Sequence, residues 1–295
     1  GTALSASAYT MTVNVTPVRD DLTLTGGVGN DTLVGDLIDV GSYDHLIGLA
    51  GNDSLSGLAG NDTLDGGAGN DTLNGGSGAD SMTGGDGSDI YYVEHTGDVV
   101  SETNAVLATG GTDTVLSTLA AYTLTANVEN GRILATTAAN LTGNTLNNVL
   151  YAGAGNNVLD GGSGLDTVSY AHGLAGTTGV TVSLAVGTAQ ATGGSGSDTL
   201  ISIENLIGSA SADKLTGNTG ANNLAGGSGN DTLDGGAGND TLVGGDGSDA
   251  YFVSDGGDVV SETNATASTG GTDTVFSALA AYTLTANVEN GRILA

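Results

Sequence analysis

The sequence predicts an all-β chain wound into a flattened parallel solenoid, and three observations carry that expectation. A nine-residue unit recurs without a gap, as GLAGNDSLS from Gly48, GLAGNDTLD from Gly57 and GGAGNDTLN from Gly66; self-similarity at a short fixed period is the mark of a repeat architecture. The first six residues of each unit are turn material in which glycine supplies positive φ. The last three have an apolar centre, such as Leu55, Leu64, Leu73, Met82, Leu233 or Leu242. Side chains alternate across a strand, so only that central one turns inward. Two units in the order strand, turn, strand, turn then make one coil.

Along the chain, Tyr9, Met11, Val13 and Val15 alternate with polar residues up to Pro17, the period of a half-buried strand. Residues 1–20 therefore read as an N-terminal strand, resembling the last strand of immunoglobulin-like or cadherin-like modules. Residues 21–93 hold the first array, opened by GGVGNDTLV at Gly26 and closed by GGSGADSMT at Gly75 and GGDGSDIYY at Gly84. Residues 94–142 form an irregular linker of short alternating segments, among them GDVVSETN, TDTVLS, YTLTANVEN and GRILA. Degenerate units with an insertion, including the strand VTVSL, fill 143–207, and 208–253 hold the second array. The stretch 91–135 returns almost unchanged as 251–295, an offset of 160 residues from Tyr91 to Tyr251. Residues 254–295 thus repeat the linker, and the chain reads as a segment of a longer tandem protein. Tyr91, Tyr92, Tyr251 and Phe252 are expected to fill the roll where it meets a linker.

Composition narrows the function. The 295 residues include 53 glycines, one proline, no cysteine and no tryptophan, and 33 acidic against 4 basic residues give a formal net charge of −29. With Arg19, Arg132, Lys214 and Arg292 as the only Lys or Arg side chains, phosphate-directed nucleic-acid binding is excluded, and anionic membranes are disfavoured. No apolar run of 18 residues predicts a transmembrane helix. No basic and then apolar opening predicts a signal peptide of the general secretory type. Without cysteine, disulfides cannot staple the coils.

Another clamp is needed. Burying one leucine per unit is worth roughly 2 kcal/mol, about what ordering one or two of the nine backbones costs. Stacked coils would also place aspartates about 5 Å apart, at the strand spacing, where each pair repels by roughly 3 kcal/mol at an effective dielectric of 20. A divalent cation between coils reverses that sign. The donors on offer are carbonyl and carboxylate oxygens, which suit Ca²⁺ rather than zinc, copper or iron, and suit the smaller, tightly hydrated Mg²⁺ poorly.

GGAGNDTLN and its neighbours resemble the GGxGxDxUx nonapeptides of the RTX (repeats-in-toxin) family, and over a dozen intact or degraded units between Gly26 and Phe252 carry that resemblance. It implies a parallel β-roll with calcium ions between stacked nonapeptide turns. It also implies ligand sets: carbonyls at positions 2 and 4 and the position-6 Asp of one unit, facing carbonyls at positions 1 and 3 and the Asp two units on. Leu49, Gly51 and Asp53 would then face Gly66, Ala68 and Asp71; Leu58, Gly60 and Asp62 would face Gly75, Ser77 and Asp80. Gly67, Gly69 and Asp71 would face Gly84, Asp86 and Asp89, so that Asp71 bridges two ions. In the second array Ser209, Ser211 and Asp213 would face Gly226, Ser228 and Asp231, and Gly227, Gly229 and Asp231 would face Gly244, Asp246 and Asp249. Asp31, in the opening unit GGVGNDTLV, and Asp44, Asp166 and Asp198, in weaker units, are further candidates. Asn148, Asn157 and Asn222 stand where the carboxylate should be, so sites there are expected to be weak or empty. The last of these departures bears on Gly235, Ala237 and Asp240, which face Asn222.

His45, His95 and His172 form no HExxH and no GxSxG occurs, so no catalytic function is expected. Glu129 with Arg132, and Glu289 with Arg292, read as ion pairs across a turn. The leading expectation is a calcium-dependent structural module of an extracellular bacterial protein, an adhesin, filament or layer stalk exported by type I secretion and folding outside the cell. The alternative is the non-catalytic portion of a secreted enzyme, such as a lipase, protease or polysaccharide-modifying enzyme. Ice binding is disfavoured: Asn30, Asn52, Asn61 and Asn70 supply one row, but position 3 holds Val28, Ala50, Ala59, Ala68, Ser77 and Asp86 instead of threonine. Calcium ions are the expected partners, with end-to-end association between copies through exposed strand edges.

Overall fold

The computed structural model describes residues 21–36, 43–104, 107–172, 178–262, 264 and 269–294. The expected strand at residues 1–20 and the degenerate stretch 37–42 lie outside them. The chain divides into two compact units between Arg132 and Ile133. Each is a parallel β-solenoid, and the described residues include a single helical turn, Leu107–Gly110.

In the first unit one sheet stacks Thr23–Thr25, His45–Ala50, Thr63–Ala68, Ser81–Asp86 and Val99–Ser101. The opposite sheet stacks Thr32–Val34, Ser54–Ser56, Thr72–Asn74, Ile90–Val93, Thr114–Ser117 and Asn130–Ile133. The chain alternates between the sheets, so residues two nonapeptides apart meet in register. Leu46 pairs with Leu64, Leu64 with Met82, and Met82 with Val100. Across the core, Leu55 pairs with Leu73, Leu73 with Tyr91, and Tyr91 with Val115. These columns are the core: Leu46, Leu64, Leu73, Met82, Tyr91 and Val115 are fully buried. Tyr91 is a core residue of a continuing stack, with linker strand Thr114–Ser117 laid on its outer side.

The second unit repeats the plan. One sheet runs Val149–Tyr151, Thr167–Ser169, Asn205–Ile207, Asn223–Ser228, Thr241–Asp246 and Val259–Ser261. Another runs Thr181–Ser183, Lys214–Thr216, Thr232–Asp234, Ala250–Val253, Thr274–Ser277 and Asn290–Ile293. Leu206, Leu224, Leu215, Leu233, Leu242 and Tyr251 fill its core, and Phe252 stacks on Phe276 at 5.1 Å. A third sheet holds Ala139–Thr142, Asn157–Asp160 and Gly196–Ile201 in parallel. There the insertion departs from the solenoid: Gln190–Gly193 folds back antiparallel on Gly196–Ile201 with a register shift between Ala191 and Gly193.

Glycine at positions 2 and 4 lets successive coils approach closely. Gly67 and Gly69 have φ of 103° and 130°, and a Cβ on either would collide with the carbonyl of Leu49 or Gly51 in the coil before. Leu49 and Leu58 occupy the same position 2 at φ of 80° and 74°, a region that costs a side chain-bearing residue about 1–2 kcal/mol. Opposite effects follow for two substitutions. Gly69→Ala should destabilise the calcium-loaded chain by about 1–3 kcal/mol, whereas Leu49→Gly, at a half-exposed side chain, should stabilise it by about 1 kcal/mol. Urea unfolding in excess calcium checks both; equal midpoints for the two variants would refute the steric account.

Candidate metal centres

Residues 5 and 6 of the turn, Asn-Asp in most of the regular units, tie neighbouring coils in opposite directions. The Asp53 amide donates to Asp71 Oδ1 at 2.7 Å, the Asp71 amide to Asp89 Oδ1 at 2.7 Å and the Asp62 amide to Asp80 Oδ1 at 2.8 Å. The Asp53 carbonyl in turn accepts the Thr72 amide at 2.8 Å. Running the other way, the amides of Asn70 and Ser88 donate to Asn52 Oδ1 and Asn70 Oδ1, each at 2.9 Å. One aspartate oxygen therefore substitutes for a ladder acceptor where the turn interrupts strand pairing, and the row of asparagine oxygens is consumed in the same task.

The second aspartate oxygen is different. Oδ2 of Asp53, Asp62, Asp71, Asp80, Asp89, Asp166, Asp231, Asp240 and Asp249 is buried and accepts no hydrogen bond. A buried carboxylate oxygen left in this state is costly unless a cation or a proton meets it. Its surroundings supply further oxygens. A Cβ placed on Gly48 would collide with both Asp53 Oδ2 and the Gly66 carbonyl, and one on Gly57 with Asp62 Oδ2 and the Gly75 carbonyl. In the second unit a Cβ on Gly208 would meet Asp213 Oδ2 and the Gly226 carbonyl. Position-1 glycine thus keeps open a space bounded by a carboxylate of one coil and a carbonyl of the next. Two hard oxygens converging on it, with no nitrogen or sulfur donor, fit a calcium ion.

The other expected ligands take part in pairing between coils. The carbonyls of Ala68, Ser77, Asp86 and Asp246 accept the amides of Gly51, Gly60, Gly69 and Gly229 at 2.7–2.9 Å, leaving each a second lone pair. Leu49 is in register with Gly67, and Gly227 with Gly245. The Leu58 carbonyl accepts the Ser77 amide at 2.9 Å. Not every candidate aspartate has an idle oxygen. Asp31 Oδ2 accepts the Gly27 amide, and Asp44 takes the amides of Leu22 and Asp36 on its two oxygens. Asp198 is held by the Asn157 amide and by the Tyr170 and Thr192 hydroxyls, and Asp213 by the amides of Val180 and Ser209 and the Ser209 hydroxyl.

Where asparagine replaces the carboxylate, its oxygen faces the position-1 space and its hydrogens turn to the coil before: a Cβ on Gly217 would meet Asn222 Oδ1 and the Gly235 carbonyl. Asn222 Oδ1 accepts the Asn218 amide at 2.7 Å while Nδ2 donates to the Glu204 carbonyl at 2.8 Å. Asn157 does the same between Gly153 and the Ala139 carbonyl. Gly235 and Asp240 still approach Asn222, through the Gly217 space and the Asn222 amide, and Ala237 donates to the Asn218 carbonyl.

The ladders continue past the nonapeptides through residues that the repeat pattern does not identify. Asp98 receives the Asp80 amide, Asp113 the Asp89 amide and Glu129 the Asp113 amide; in the second unit Glu204, Asp258, Asp273 and Glu289 play these parts. For Asp98 and Asp258 a signal was present: each lies 18 residues beyond a position-6 aspartate, the spacing of the ladder itself.

Parallel coils whose aspartate turns converge a carboxylate and a carbonyl define a calcium-binding β-solenoid. The family model for the RTX calcium-binding nonapeptide repeat (4 copies) matches residues 23–37, 44–73, 65–94, 140–170, 192–233, 216–251 and 226–260, more than half of the chain. The chain belongs to this family. A search of curated proteins finds no match.

Burial raises the aspartates' pKa values, to about 7 for Asp71 and Asp231 and about 6 for Asp62, Asp89 and Asp249; backbone hydrogen bonds oppose the shift and neighbouring carboxylates add to it. Without metal the folded coils therefore take up protons that the unfolded chain releases at lower pH. Their contribution to stability is complete below about pH 4 and is lost as pH rises through about 6 to 7. In metal-free buffer the far-ultraviolet circular dichroism spectrum should show more β-structure at pH 5 than at pH 8. Identical spectra would refute this linkage.

Proposed function

We propose that this calcium-binding module is a structural segment of an exported bacterial protein, part of a surface adhesin, filament or layer, which stays unfolded inside the cell and folds when it meets extracellular calcium. The observation that carries the reading is the column of buried carboxylate oxygens without hydrogen-bond partners at Asp53, Asp62, Asp71, Asp80 and Asp89, repeated at Asp231, Asp240 and Asp249. In cytosolic conditions such a column repels itself, and a chain with net charge −29 and one leucine per turn has little to oppose that repulsion. At millimolar calcium, sites of modest affinity fill, and binding to the folded state alone drives the equilibrium. The ligand sets proposed are those centred on Asp53 with Asp71, Asp62 with Asp80, Asp71 with Asp89, Asp213 with Asp231 and Asp231 with Asp249. The repeated linker between and after the arrays at 21–93 and 208–253 supports a tandem-array protein, which suits a stalk.

Circular dichroism during a calcium titration tests the proposal. The chain should pass from a disordered to a β-rich spectrum with a midpoint on the order of 10⁻⁴ to 10⁻³ M calcium, and magnesium at the same concentrations should leave it disordered. A full β spectrum in excess chelator at neutral pH would overturn the reading.

A further inference from the structure

Two groups of three carboxylates each join the last position-6 aspartate of an array to two acidic residues outside the nonapeptide pattern. Asp89, Glu102 and Asp113 form one and Asp249, Glu262 and Asp273 the other, each residue offering an oxygen within 4.8 Å of the other two. All six side chains are more than nine-tenths buried; Glu102 and Glu262 are the most exposed at 7%. Asp89 Oδ2 in the first group and Asp249 Oδ2 in the second accept no hydrogen bond, while the amides of Gly84 and Gly85 approach the Glu102 carboxylate and those of Gly244 and Gly245 the Glu262 carboxylate. The arrangement occurs twice, on two copies of the same junction between array and linker.

Register explains why glutamate is there. Strand Val99–Ser101 pairs with Ser81–Thr83, which sets Glu102 beside Gly84. Glu102 thus holds position 1 of the next coil, 18 residues beyond Gly84, where the nonapeptides have glycine and offer a carbonyl. A Cβ on Gly84 would collide with Asp89 Oδ2, Glu102 Oε1 and the Tyr91 hydroxyl together, and one on Gly244 with Asp249 Oδ2, Glu262 Oε1 and the Tyr251 hydroxyl. The Tyr91 hydroxyl bonds Glu102 Oε1. Asp113 takes the next rung of the aspartate ladder, receiving the Asp89 amide at 2.8 Å from 24 residues on, and Asp273 does the same for Asp249. The space that a carboxylate and a carbonyl bound in the array is bounded here by charged oxygens from three side chains.

We propose that each group binds one Ca²⁺ ion that fastens the last coil of an array to the linker that follows, through Asp89, Glu102 and Asp113 in the first copy and Asp249, Glu262 and Asp273 in the second. This rests on the calcium-dependent reading above and adds a site type that the nonapeptide pattern does not contain. Calcium–oxygen bonds of about 2.3–2.6 Å let one ion reach oxygens spaced as these are. With three formal negative charges, each junction site should fill at lower calcium than the array sites, because affinity rises with the number of charged ligands.

The test counts ions on the full chain. Under conditions where wild type is saturated, equilibrium dialysis should show two fewer bound Ca²⁺ per chain in the Glu102→Gln/Glu262→Gln variant and one fewer in Glu102→Gln alone. Asp65→Asn, which alters a carboxylate outside both kinds of site, should leave the count unchanged. Equal counts for wild type and the double variant would overturn the proposal, since the carboxylates would then be sharing protons. Should the double variant not fold, terbium replaces calcium: tyrosine-sensitised Tb³⁺ emission should fall in Tyr91→Phe/Tyr251→Phe, and unchanged emission would overturn the proposal. Wild type that folds in chelator defeats the functional reading itself. Calcium-dependent folding with an unaltered count defeats only the junction sites.

Discussion

The structure depends on a repulsion that its own geometry creates. Parallel stacking at strand spacing brings the same residue of every coil into a column, and in this chain one such residue is an aspartate buried among backbone oxygens. The coil cannot relieve the charge by turning the side chain outward. Oδ1 is committed to an amide of the coil before, as in the bond from the Asp53 amide to Asp71. The hydrogen bond that orders the turn therefore also fixes Oδ2 inside it. Glycine at position 1 follows from the same geometry, since any side chain at Gly48 or Gly57 would fill the space that Oδ2 faces.

The asparagine variants show what the charge does by showing its absence. Asn222 takes the Asn218 amide on Oδ1, the oxygen that faces the Gly217 space, and donates its own N–H to the Glu204 carbonyl of the coil before. A turn built that way is neutral and closes without an ion. Aspartate turns gain the chance to bind a cation and lose independence from it. Mixing the two kinds, as the second unit does at Asn148, Asn157 and Asn222, lets neutral coils join ion-dependent ones in one continuous register.

Much of this was legible in the nine-residue period. Because every intact unit has the same length, the pairing of Leu46 with Leu64 and of Leu55 with Leu73 follows from counting. The inward aspartate follows from the turn grammar and the choice of calcium from the donor chemistry. The junction was not legible, because Glu102 and Asp113 reach their places by register through residues that resemble no nonapeptide. The 24-residue rung from Asp89 to Asp113 includes the helical turn Leu107–Gly110, which no period announces. The fold-back of Gln190–Gly193 escaped for a related reason: an insertion between degenerate units carries no repeat signal, and an antiparallel hairpin breaks the one-directional logic of the solenoid.

A repeat whose units share one deficit and one remedy behaves differently from a domain with a single core. Each coil contacts only its neighbours, so stability is a sum of coil and interface terms, and the proposed ions lie at the interfaces. An aspartate such as Asp71, with a place in two proposed ligand sets, makes the second ion's site depend on the ordering done by the first. At the end of an array the stack continues, but the next coil comes from the linker and brings no nonapeptide turn. Glu102 and Asp113 stand at that change in the first copy, and Glu262 and Asp273 in the second. Under the junction proposal, charged ligands there, in exchange for carbonyls, hold the ion where the regular turn is lost.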